Sequence, residues 1–177
     1  MGDEVFLDIE SHYGTKAVCE ISIIARNGRT LFCSPVNPGF DTKNQLGEKG
    51  LNDDILSSSP TWQYIEPLVE KILEDKVVIS WWMDNEKQFF SNRLKNTRRT
   101  LCAMKRFSPL ALNYNSNFGD YQNIKLWDAV RYTKTPFPSE CRQHRAWIDA
   151  EVMRRLWIWM ENLSVNFENK ALSLTVV

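Results

Sequence analysis

The chain has 177 residues, 43% of them hydrophobic and 25% charged, with 22 basic side chains balanced by 22 acidic ones. That length suits one domain with a full core rather than two, and the composition excludes a disordered chain. A net charge of zero excludes a molecule-wide attraction to polyanions, so any such affinity must come from local patches.

Val5–Ile9 is a short apolar run ended by acids and reads as a central strand. Lys16–Ala25 is a second β-rich stretch. The Asn27-Gly28 pair then turns the chain into Thr30–Ser34, so the two should form a hairpin. From Pro35 to Pro60 turn-forming residues dominate, with a helical turn expected near Asp53–Leu56. Thr61–Leu73 spaces Trp62, Ile65, Leu68, Val69, Ile72 and Leu73 as one helix face, with Pro67 inside it. Val77–Trp82 reads as a strand buried on both faces. Asp84 is then placed to cap a helix running to about Lys95, with Phe89, Phe90 and Leu94 inward.

The stretch Arg93 to Arg106 collects Arg93, Lys95, Arg98, Arg99, Lys105 and Arg106 and no acid. Tyr121–Tyr132 offers a short strand or helix around Leu126-Trp127. Arg142–Leu163 reads as a long helix, and Ala171–Val177 as an edge strand or loose tail. The order β-β-β-α-β-α-(β)-α calls for an α/β sandwich with a mixed sheet. A single domain over 1–177 is expected, its core at about 5–163 and a tail at 164–177.

Nothing in the sequence reads as an export signal or a membrane span. Asp3 and Glu4 stand where a signal peptide needs bases, and Phe6 stands where myristoylation needs a hydroxyl residue. The expected compartment is the cytoplasm, with Cys19, Cys33, Cys102 and Cys141 as free thiols.

Three groups of residues carry chemistry. Asp8 and Glu10 lie two apart on a strand and therefore share a face, so both reach one metal site. His144 and Asp149 are about 140° apart on a helix, so Asp149 faces the sheet while His144 overhangs the site from the first turn or before it. In Trp81–Phe90 an acid at the strand-to-helix junction, Glu86 or Asp84, completes a cluster. N-capping and the helix dipole account for these two acids equally well.

Taken together, these motifs resemble the DEDDh exonucleases, the DnaQ-like group that includes RNase T, oligoribonuclease and the proofreading subunit of bacterial DNA polymerase III. Phe6-Leu7-Asp8-Ile9-Glu10-Ser11 looks like the first motif. Glu20–Ala25 followed by Asn27-Gly28-Arg29 resembles the second and third strands. Pro35-Val36-Asn37-Pro38 and Gly50–Leu56 resemble the landmarks that follow. His144-x-Ala-x-x-Asp149-Ala150 matches the third motif. The second motif departs from the pattern. Setting Phe89, Phe90 and Leu94 in its apolar slots puts Glu86, rather than an aspartate, in the acidic slot. Asp84 would instead put Lys87 and Gln88 where packing residues belong. Glu86 is the preferred reading and Asp84 its alternative.

The resemblance implies a ribonuclease H-like fold with a central mixed sheet flanked by helices. It implies two Mg²⁺ or Mn²⁺ ions held by Asp8, Glu10, Asp149 and Glu86 (or Asp84), with His144 as proton acceptor. The implied substrate is the 3′ end of single-stranded RNA or DNA. By position, Ser11, His12 and Tyr13 would line the terminal nucleotide, and Arg98 and Arg99 would guide the backbone. A DnaQ-like module that binds nucleic acid or a partner without cutting is the alternative. Trp157 and Trp159 project from opposite sides of the last helix, which suggests that one lies at a homodimer interface, as in RNase T-type relatives.

Overall fold

In the computed structural model, residues 3–43, 50–136 and 144–174 are described, with side chains as far as residue 163. Three strands open the chain: β1 (Glu4–Ser11), β2 (Val18–Ala25) and β3 (Thr30–Pro35). They form an antiparallel meander whose β2–β3 turn places Gly28 at φ +86°, a conformation that suits a residue without Cβ. After the short helix α1 (Asp53–Ser57), helix α2 (Trp62–Leu73) runs unbroken through Pro67. Strand β4 (Val77–Ser80) then returns parallel to β1.

Beyond β4 the expected helix to Lys95 is not formed. Helix α3 covers only Met83–Glu86 and passes into a 3₁₀ turn, Lys87–Phe89. Arg93 and Leu94 adopt left-handed backbone angles of 53° and 59°. Asn92 Oδ1 accepts the Leu94 amide at 2.8 Å, a local bond that competes with helix. Phe90 and Leu94 nevertheless reach the core, at 2% and 4% exposure. The basic stretch that follows contains a strand that the sequence reading missed, β5 (Arg99–Cys102), parallel to β4, and the short helix α4 (Ala103–Phe107). A small hairpin, β6 (Tyr114–Asn115) and β7 (Asp120–Tyr121), was missed as well. It precedes α5 (Leu126–Thr133) and the long α6 (Ala146–Leu174). Residues 164–174 thus continue α6 rather than forming an edge strand or loose tail, and 175–177 lie outside the described residues.

The sheet order is β3-β2-β1-β4-β5. Alternation along β1 sends Val5, Leu7 and Ile9 to one face, where Ile65, Val69 and Leu73 of α2 pack. Phe6 points to the other face, against Met153 and Leu156 of α6 and Ala129 of α5. Asp8 and Glu10 follow Phe6 in period two, so both carboxylates emerge on the α6 side. The fold is the ribonuclease H-like one: a mixed five-stranded sheet with helices on both faces.

Trp157 and Trp159 both belong to the α6-side core. Trp157 is 3% exposed, and Trp159 packs its ring 6.3 Å from that of Phe107. Both rings therefore meet one core despite the helical angle between them, Trp159 as a partly buried residue at its margin. Trp82, expected in the core, is 53% exposed. No helix among the described residues is long and apolar enough to cross a membrane. Cys19, Cys33 and Cys102 form no disulfide with one another, and Cys141 lies outside the described residues.

Candidate active site

The carboxylates gather where β1 and β4 end. Asp8 and Glu10 leave β1 on one face, and α3 follows β4 directly, bringing Glu86 beside them. Helix α6 supplies Asp149 from its first turn. Asp8, Glu86, His144 and Asp149 line one cleft of about 580 Å³, with Trp81, Trp82, Asn85 and the segment Asn123–Asp128 among its other walls. Glu10, His144 and Asp149 bring ligand atoms within 4.8 Å of one another, a grouping able to hold a metal ion.

Burial sets the electrostatics. Glu10, Glu86 and Asp149 are 9%, 5% and 6% exposed. Asp8 Oδ2 and Glu86 Oε2 are shut off from solvent without a hydrogen-bond partner. Burial pushes the Asp8 carboxyl well above the ordinary carboxylate range, and Asp149, Glu86 and Glu10 push it further by repulsion. Burial likewise raises Glu86 to about 8, against a hydrogen bond from Asn85 and with added repulsion from Glu10. Such a set is costly as bare anions, and a divalent cation would remove the penalty, because hard cations prefer carboxylate oxygens. The orphaned oxygens and the all-carboxylate and imidazole donors therefore fit one or two divalent ions.

Asp84 faces away from the cleft. It is exposed and paired with Lys105 at 3.1 Å, so the acid that α3 presents to the site is Glu86. His144 sits just before α6 with φ 61°, and its Nδ1 is 3.9 Å from Asp149 Oδ2, too long for a hydrogen bond. More than half of its side chain is exposed, which leaves the imidazole free to meet a ligand.

Two residues that shape the site carried little signal in the sequence. Glu20 of β2 stands opposite Glu10 in the strand register and is 1% exposed. Its carboxylate accepts from Arg145 at 2.6–3.0 Å and from the Ala146 amide at 2.8 Å, tying the start of α6 to the sheet. A glutamate inside the apolar run Val18–Ala25 was the available clue, because a buried charge requires a partner. Trp127 of α5 donates its indole N–H to Asp149 Oδ1 at 3.0 Å, and nothing in its local sequence marks it.

Other residues expected at the site lie elsewhere in the fold. Arg98 and Arg99 lie at the opposite end of the sheet. Arg99 is level with Val77 and Glu4, four residues before Asp8, or about 13 Å along the strand. Arg98 is already held by Asp3 and Asp75 at 2.8 and 2.9 Å. Ser11, His12 and Tyr13 lie outside the walls of the cleft. The His12 ring is buried, bonded to Thr15 Oγ1 at 3.1 Å and edge-on to Phe40, while Tyr13 is 98% exposed. The aromatic and basic groups that do line the cleft are Trp81, Trp82, Trp127, Lys125 and Arg131.

No known family profile matches the chain, and no curated protein matches it. Solved structures do. Cell-death related nuclease 4 superimposes with a TM-score of 0.58 at 13% identity, over 90% of this chain and 64% of that one. A full-length 3′-exonuclease superimposes at 0.53 and 12% identity, over 91% of this chain and 60% of that one. The chain thus spans less than two thirds of the length of either, and the likeness is one of fold.

Proposed function

We propose that the protein is a metal-dependent 3′→5′ exonuclease acting on single-stranded nucleic acid in the cytoplasm. The observation that carries this reading is the pair of buried, partnerless oxygens, Asp8 Oδ2 and Glu86 Oε2, in a cleft shared with Asp149 and His144. The fold is one on which two nucleases are also built, one of them named a 3′-exonuclease, which supports both the reaction class and the end attacked.

Asp8, Glu10, Asp149 and Glu86 would hold Mg²⁺ or Mn²⁺, one or two ions. When bound, such ions stabilise the attacking and leaving oxygens of an in-line displacement at phosphorus. His144 takes the proton from the attacking water. Its imidazole is exposed at the mouth of the cleft, where it can meet that water. Trp82 offers a ring face for the terminal base, while Lys125 and Arg131 face the phosphates.

One observation favours a second reading, a module that binds nucleic acid and cuts weakly or not at all. The tight ligand set contains Glu10, His144 and Asp149, and neither Asp8 nor Glu86 belongs to it. A time course with 5′-labelled single-stranded RNA and DNA in Mn²⁺, Mg²⁺ and EDTA separates the two. Metal-dependent shortening from the 3′ end, lost in Asp8→Ala, is the expected result. Retained binding without cleavage in any metal would establish the second reading instead.

A further inference from the structure

We infer that Trp127 is a positioning residue that selects which oxygen of Asp149 is offered to a metal ion. The inference rests on the metal-site reading above and adds a residue from α5, an element that contributes none of the four carboxylates assigned to metal.

The indole N–H of Trp127 is a donor with no acceptor capacity, and it points at Asp149 Oδ1 from 3.0 Å. The other oxygen, Oδ2, lies on the His144 side, 3.9 Å from Nδ1. Oδ1 is thus held by α5, while Oδ2 is the oxygen on the side of His144, one of the two residues grouped with Asp149. Asp149 is 6% exposed, so water competes weakly for Oδ1 and the indole bond holds the side-chain rotamer. Trp127 itself is anchored, because its ring packs against the α6-side core while its edge forms part of the cleft wall. Groups that hold a ligand carboxylate in this way typically account for about 10–100-fold in metal affinity.

The same helix and the residue before it bring Asp128, Arg131 and Lys125 to the cleft. Trp127 therefore links the wall that would meet substrate to the acid that would meet metal. The link leaves substrate affinity to its neighbours and places its own effect on the metal.

The test uses the full chain and Mn²⁺ alone, titrated by calorimetry or by the paramagnetic resonance of free Mn²⁺. Trp127→Phe keeps an aromatic ring and deletes the donor, and Trp127→Leu deletes both. About 10–100-fold weaker Mn²⁺ binding is expected in both, with the metal-free melting temperature of Trp127→Phe near that of the unaltered protein. In a double-mutant cycle with Asp149→Asn the two losses should not add, because Trp127 acts through that carboxylate. On single-stranded substrate, kcat should fall while KM holds. Wild-type affinity in Trp127→Phe, or loss confined to Trp127→Leu, would reduce Trp127 to a packing residue and leave the nuclease reading intact. Absence of Mn²⁺ binding by the unaltered protein would overturn both readings.

Discussion

The Glu20 carboxylate on β2 receives both the Arg145 guanidinium and the Ala146 amide, so one buried acid sets where the last helix begins. Everything that α6 brings to the cleft, Asp149 first, depends on that anchor. Replacing Glu20 with Gln leaves a donor facing the Ala146 amide or Arg145 and removes the charge that holds Arg145. Breaking a fully buried ion pair costs about 3–5 kcal/mol. Arg145 is about one third exposed, so a loss of about 2–3 kcal/mol is expected for Glu20→Gln. Urea unfolding measures it. A change below about 0.5 kcal/mol would mean that the anchor contributes little.

Metal should stabilise the fold, because the ions relieve repulsion that only the folded state suffers. At a hundredfold excess over Kd the gain is about 2.7 kcal/mol. For a chain of this size that is roughly 5–10 °C in melting temperature. EDTA should reverse the shift, and Asp8→Asn should diminish it. A melting point indifferent to millimolar Mg²⁺ and Mn²⁺ would argue against a metal site.

The sign of the pH dependence follows from Glu86. Its folded-state value of about 8 lies above the ordinary 4.5, so between those values the folded protein holds a proton that the unfolded chain has released. Stability from this group is therefore full below about pH 4.5 and lost as pH rises through 8. Glu86→Gln cannot ionise. In metal-free buffer its stability relative to the unaltered protein should rise from pH 5 to pH 8. A pH-independent difference would show that Glu86 is ionised throughout.

Trp82→Ala should raise KM for single-stranded substrate, since the exposed ring lines the cleft beside Glu86. Loss of one stacked base is worth about 1–3 kcal/mol, or roughly 5–150-fold. An unchanged KM would remove Trp82 from the substrate path.

Arg98→Ala and Arg99→Ala should leave cleavage and its salt dependence unchanged, because both residues lie at the far end of β5 from the cleft. A flattened salt slope in either would place substrate along that edge of the sheet.

The sequence by itself determined what depends on short range. Strand periodicity put Asp8 and Glu10 on one face, because alternate side chains of a strand share a side. The apolar runs marked β1, β2, β4 and α2, and the Asn27-Gly28 pair marked the hairpin turn. Tertiary structure decided the rest. A four-residue strand such as β5 has too little pattern to stand out, and parallel pairing with β4 creates it. Glu86 and Asp84 are two residues apart and chemically alike, yet one is buried among acids and the other reaches Lys105. Only the brief α3, which turns just once, separates them. Glu20 and Arg145 meet across 125 residues, and Trp127 meets Asp149 through the packing of α5 on α6. Burial and long-range contact are properties of the assembled chain, and they decided which of its acids are gathered in the cleft.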